Sequence, residues 1–113
     1  MPYDAALANR VRAALGRARP VEEKKMFGGL TFMVRGRMCV SVGKDRIMCR
    51  IDPAIHDAAL RRRGCRTVVM KKREYRGFVH VSGEALQTSS DLDYWVGLAL
   101  DYNDKAGPRK RNR

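Results

Sequence analysis

The sequence predicts a two-layer α+β domain, in which helices cover one face of an antiparallel sheet. Three observations predict this fold class. Residues 26–53 contain three short runs in which apolar residues alternate with other residues, as in strands with one buried face. Segments with apolar residues at helical spacing stand before and after these runs. The length of 113 residues suits one domain that needs neither a metal nor a disulfide to fold.

The first element is a helix predicted over residues 4–19. Asp4 is a favourable N-cap, and Pro20 ends the helix. Residues 21–25 are expected to lead into the sheet. The apolar face of this helix has five residues at helical spacing: Leu7, Val11, Ala14, Leu15 and Ala18.

Three strands follow, predicted over residues 29–35, 38–43 and 46–51. Gly36 suits the tight turn of the first hairpin, because glycine tolerates the left-handed conformation that a short loop needs.

The second hairpin has a register that the apolar pattern selects. If Lys44 and Asp45 form a two-residue turn, Val40 lies opposite Cys49 and both point into the core, whereas Cys39 points to the other face. The other apolar pairs in this register are Val42 with Ile47 and Met38 with Ile51.

A second helix is predicted over residues 53–63. Asp52 provides an N-cap carboxylate, and Pro53 suits the first helical position. Gly64 is the expected C-terminal stop.

The last part of the domain is predicted to hold two strands and a helix. The strands cover residues 66–70 and 77–82, with a basic loop at residues 71–76 between them. The helix covers residues 90–105, with Ser89 or Ser90 as its cap and Trp95 as its largest buried side chain. The order is therefore α-β-β-β-α-β-β-α, in a domain over residues 1–105 with a basic, disordered tail at residues 106–113.

Several of these residues resemble the N-terminal domain of the TfoX/Sxy family. The resemblance is carried by Met26, Phe27, Gly28, Gly29, Gly36, Asp52, Pro53, Gly77 and Trp95. It implies the same α+β arrangement and a stand-alone N-terminal domain without the family's C-terminal domain. It also implies a role in regulating competence for DNA uptake, alongside a cyclic-AMP-dependent transcription activator.

The sequence shows no pattern typical of an enzyme, a metal site or a cofactor site. Gly28 and Gly29 precede a strand and lack the ending of a phosphate loop, so they indicate a bend or bulge where a side chain would clash. His56, in the first turn of the second helix and expected to be solvent-exposed, and His80 are interpreted as structural. Cys65 is the best candidate nucleophile, because flanking arginines would lower its pKa, but a plain cysteine is the favoured interpretation.

The net charge of +12 is the most informative feature for function. Residues 61–76 contain eight basic residues and one acidic residue, whereas residues 77–104 contain five acidic and no basic residues. Such a basic band attracts polyanions without identifying one, although a general solubility bias could produce the same charge. The residues predicted to bind nucleic acid or a partner are Arg61, Arg62, Arg63, Lys71, Lys72, Arg73 and Arg76.

A second candidate surface is the sheet face away from the helices. Half-apolar patches of this kind are often interfaces, so a homodimer is one hypothesis, and ordinary surface shielded by arginine side chains is the other. The residues predicted on this face, beside Thr31, are Met33, Cys39, Ser41 and Met48.

Two function classes follow. The first is a non-enzymatic regulatory and interaction module that acts through a protein partner, such as a transcription activator. The second is a protein that binds nucleic acid weakly and without regard to sequence. The three cysteines lack metal spacing, and no apolar run reaches the roughly 20 residues of a membrane span, so we expect free thiols in a cytoplasmic protein.

Overall fold

The computed structural model describes residues 3–16, 21–26 and 28–107. Its elements are, in chain order, α1 (Ala5–Leu15), β1 (Val21–Met26), β2 (Gly29–Val34), β3 (Arg37–Val42), β4 (Arg46–Arg50), a 3₁₀ turn (Pro53–Ile55) leading into α2 (His56–Leu60), β5 (Cys65–Met70), β6 (Arg73–Ser82), a second 3₁₀ turn (Gly83–Leu86) and α3 (Ser89–Ala106). Some predictions lie outside the described residues: Ala18, Pro20 and Phe27, and the tail from residue 108 onward.

The six strands form one antiparallel sheet in the order β1-β2-β3-β4-β6-β5. The two-layer α+β class is confirmed, with one strand more than the sequence predicted. The extra strand is β1, an edge strand that pairs only with β2 and whose six residues are all exposed. Because this edge strand buries neither face, its sequence shows no alternation of apolar residues that would have predicted it.

The prediction of a basic loop at residues 71–76 is also wrong, because the sequence again indicated too little strand. Only Lys71 and Lys72 form the turn, both with positive φ, and β6 begins at Arg73. Two-residue hairpin turns of this geometry usually contain asparagine or glycine, so two lysines give no sign of one in the sequence.

The predicted register of the β3–β4 hairpin is confirmed, since Val40 pairs with Cys49 and Val42 with Ile47. The predicted orientation of Cys39 is wrong. A bulge between β2 and β3 leaves Cys39 as the extra residue, and its side chain lies with Cys49 in the cluster under the helices. The same bulge turns Met38 to the opposite face, so the prediction that Met38 shares a face with Ile51 is wrong.

The main core lies between the sheet and the helices. Trp95 is 2% exposed, which confirms its predicted place on α3, and Asn103 of α3 donates from Nδ2 to the main-chain oxygen of Val34 at 2.9 Å. The side chain of Asp4 caps α1 and that of Asp52 caps the first 3₁₀ turn, as predicted. The cap of α3 is instead Thr88, which accepts from the N–H of Asp91.

The second face of the sheet carries a smaller cluster of its own. It consists of Met33, Met38, Met48 and Val68, with Phe78 packed against it, and the hydroxyls of Thr31 and Ser41 are hydrogen-bonded at 2.8 Å beside it. All four residues predicted for a dimer face (Met33, Cys39, Ser41 and Met48) are buried within the single chain. The prediction that they form an uncovered patch is therefore wrong. The hypothesis of a homodimer through these side chains has no exposed surface to support it.

Candidate interaction surface

The outer part of the β5–β6 hairpin extends beyond the rest of the sheet. Strand β4 pairs with β6 from Phe78 to Ser82, and the N–H of Ile51 donates to the main-chain oxygen of Gly77. Residues nearer the turn than Gly77 have strand partners only within the hairpin. Lys71, Lys72 and Arg73 are exposed at this end. We call residues 69–73 the hairpin tip.

The hairpin tip also exposes two apolar side chains. Val69 is 56% exposed and Met70 is 37% exposed. The sequence predicted a strand over residues 66–70 without predicting that these two side chains are exposed. The one signal in the sequence was the place of Met70 directly before two lysines, which puts it at the end of the strand.

The rest of the predicted basic band does not form one patch with the tip. Arg76 pairs with Asp57 at 3.2 Å, and the guanidinium of Arg62 stacks over the ring of Tyr94 at 3.8 Å. Arg63 donates to the main-chain oxygen of Glu84. Helix α2 ends at Leu60, so Arg61, Arg62 and Arg63 lie beyond the helix instead of in its last turn. The three cations of the tip form no ion pair with another described residue.

His56 fixes the base of this hairpin to α2. Its Nδ1 accepts a hydrogen bond from the main-chain N–H of Gly77 at 2.9 Å, so the ring proton sits on Nε2, 3.0 Å from the hydroxyl of Thr67. The ring is buried, which corrects the prediction of an exposed histidine and agrees with a structural role. One side chain of α2 therefore bonds both strands of the hairpin.

The cysteines lack the features of nucleophiles. All three are free and lie in the main core cluster. Burial raises the pKa of Cys65 to about 11 and that of Cys39 to about 12, and it raises the pKa of Cys49 well above the usual value. The prediction that neighbouring arginines lower the pKa of Cys65 is wrong, because desolvation of the thiolate decides the direction.

Acidic side chains are partly engaged in ion pairs at the surface. Asp104 of α3 pairs with Arg35 at 2.6 Å, and Lys105 pairs with Asp52 at 2.7 Å. The pKa of Asp52 is lowered by this lysine and by the main-chain N–H of Ala54. Within the described ranges, no three histidine, cysteine or carboxylate side chains are grouped as metal ligands would be. Across the same part of the chain, no helix combines the length and the apolar character needed to cross a membrane.

The comparisons with known proteins give a single result. Searches of curated proteins and of solved structures gave no match. The family model described as the TfoX N-terminal domain matches residues 13–102, which is most of the chain. The chain therefore belongs to the TfoX N-terminal domain family.

Proposed function

We propose that the protein is a non-enzymatic regulatory module that contacts a protein partner through the hairpin tip. One observation carries the proposal: Val69 and Met70 are exposed directly beside Lys71, Lys72 and Arg73. Exposed apolar side chains next to cations suit a partner surface that offers an apolar contact ringed by carboxylates. Family membership supports a role in regulation of competence and transcription, and a cyclic-AMP-dependent transcription activator is the first partner to examine.

The absence of catalysis is part of this proposal. The best candidate nucleophile, Cys65, stays a thiol because burial raises its pKa to about 11. Both ring nitrogens of His56 have structural hydrogen-bond partners, so this histidine does not serve as a base. We therefore assign the protein a binding role, in which it recognises a partner.

The experiment is a binding measurement with the purified activator from the same cell. We expect Val69→Ser/Met70→Ser to weaken the complex at least about tenfold, because both anchors lose apolar burial. Arg61→Ala, which removes an exposed charge near the end of α2 and outside the tip, should leave binding unchanged. Equal affinities of wild type and the tip variant for the activator would refute the proposed contact.

A second candidate function is sequence-indifferent binding of nucleic acid by the same tip. It is favoured by the three tip cations, none of which pairs with a carboxylate of the described residues. Cations of this kind contact phosphates through counterion release and carry no base information.

A salt titration with two unrelated duplexes separates the two functions. We expect both duplexes to bind alike, at micromolar affinity or weaker, with a steep fall as salt increases. Replacing Lys71, Lys72 and Arg73 with alanine should reduce the slope of log affinity against log salt by about 2 to 3. Val69→Ser/Met70→Ser should leave this slope unchanged. Absence of binding at low salt would exclude the nucleic-acid function, and a hundredfold preference for one duplex would contradict indifference.

A further inference from the structure

The second face of the sheet carries a row of mainly polar side chains that the proposed function does not use. Ser41, Met48, His80 and Arg66 lie directly opposite one another on β3, β4, β6 and β5. Directly opposed residues point to the same face of a sheet, so Arg66, His80 and Ser41 share the face of the methionine cluster. Arg46 precedes Met48 by two residues on β4 and therefore points the same way.

Two cavities open on this face, one on each side of Arg46. The first, of about 400 Å³, is lined by Arg46, Arg63, Arg66, His80 and Ser82. The second, of about 470 Å³, shares Arg46 and His80 and adds Ser41 and Lys44. Each lies in the size range of small-molecule sites. Together they form a shallow, two-part depression, which we call the Arg46 depression.

The Arg46 depression is electropositive. Four cations line it: Lys44, Arg46, Arg63 and Arg66. Two carboxylates, Asp45 and Glu84, also line it, and neither forms an ion pair with a described cation. Burial and the charge of Arg46 lower the pKa of His80, which favours the neutral form of its ring. The four cations outnumber the two carboxylates, so the net charge of the lining is positive.

We propose that the Arg46 depression binds a small ligand through a phosphate group, with Arg46 and Arg66 as the principal contacts. Arg46 on β4 and Arg66 on β5 flank the central strand β6, so both guanidinium groups can donate to one phosphate group bound over β6. Arginine suits phosphate because its donors are planar and fixed. Ser82, opposite Arg46, and the ring of His80 supply neutral donors between the two arginines. The remaining volume accommodates the organic part of a phosphate ester. This site is separate from the hairpin tip, so the proposal does not depend on the proposed partner.

The experiment is an NMR titration of the full chain with inorganic phosphate and with ribose 5-phosphate, at constant ionic strength balanced with chloride. We expect saturable shifts at His80, Arg46 and Arg66, with millimolar or tighter affinity. We also expect the pKa of His80 to rise on binding, because a dianion favours the imidazolium form. Its charged surroundings are Arg46 of β4, Arg66 of β5, Lys44 and Asp45 of the β3–β4 turn, and Arg63 and Glu84 outside the strands.

The variants assign the site. Arg46→Gln/Arg66→Gln should weaken phosphate binding at least about tenfold while the dispersed spectrum shows an intact fold. Alanine replacement of Lys71, Lys72 and Arg73 should leave it unchanged, which distinguishes this site from the tip. The proposal is overturned if neither probe gives saturable shifts up to about 50 mM, well above millimolar affinity, or if the double variant binds as wild type does. A duplex that competes with ribose 5-phosphate at Arg46 and Arg66 would confirm phosphate binding and assign its source to nucleic acid.

Discussion

Gly29 offers the sharpest test of the packing between β2 and β3. A Cβ atom placed on Gly29 would lie 2.0 Å from the main-chain oxygen of Val42 and 2.9 Å from its carbonyl carbon. Both atoms belong to the backbone of the neighbouring strand, so no side-chain rotation relieves the contact. Gly29→Ala therefore requires this end of the two strands to separate by about 1 Å or more.

The cost follows from the hydrogen bonds that such a separation breaks. Moving a donor about 1 Å from its normal position takes the N···O distance beyond roughly 3.5 Å, where the bond is lost. Two lost backbone bonds at about 1 kcal/mol each, with the overpacking cost of roughly 1–3 kcal/mol, lower the free energy of unfolding by about 3–5 kcal/mol. For a chain of this size, the melting temperature should fall by about 10–20 °C.

Two glycines nearby serve as matched controls. Gly28 has φ of 72°, and no atom lies within 4 Å of the place that a Cβ would take, so Gly28→Ala should cost only the left-handed strain of about 1–2 kcal/mol. Gly43 has ordinary φ and a nearest neighbour at 3.5 Å, so Gly43→Ala should be nearly neutral. The assay is urea unfolding followed by circular dichroism. An unfolding midpoint for Gly29→Ala equal to that of Gly43→Ala would refute the close approach of β2 to β3.

Two further predictions concern the main core. Trp95→Ala should lower the free energy of unfolding by about 3–5 kcal/mol, because a nearly fully buried indole is removed; an unchanged urea midpoint would contradict the packing of α3. The three cysteines should react with a thiol reagent at pH 7 only as fast as the protein opens, because all three are buried. Burial also keeps the thiols protonated, since it raises the pKa of Cys65 to about 11. Reductant should leave the melting temperature unchanged, and rapid labelling of the folded protein would count against the burial of the thiols.

Local patterns determined most of the architecture. Period-two alternation predicted β2, β3 and β4, and the pairing of Val40 with Cys49 followed from keeping apolar residues on one face. Asp4 and Asp52 predicted the starts of α1 and of the first 3₁₀ turn, because the side-chain oxygen of each accepts a hydrogen bond from a main-chain N–H two or three residues later. These features depend on contacts within a few residues, or across one tight turn, which is why the sequence alone reveals them.

Features that depend on distant partners could not be predicted in this way. The bulge that turns Cys39 into the core lies in the pairing of β3 with β2, and β1 is recognisable as a strand only from its pairing with β2. His56 was expected in solvent, but it is buried because α2 packs against β5 and β6, where its ring is hydrogen-bonded to Thr67 and Gly77.

The two candidate surfaces differ in the same way: one is formed by neighbours in the chain and the other by distant residues. The basic residues of the hairpin tip are consecutive in the chain, so the charge pattern was enough to predict them. Arg46, Arg66 and His80 are far apart in the chain, and no short stretch of the sequence contains them together. Pairing of β4 and β5 with β6 sets them side by side. Whether the sheet's second face is open surface, buried cluster or binding depression was decided by tertiary structure alone, because burial depends on which distant side chains share a face.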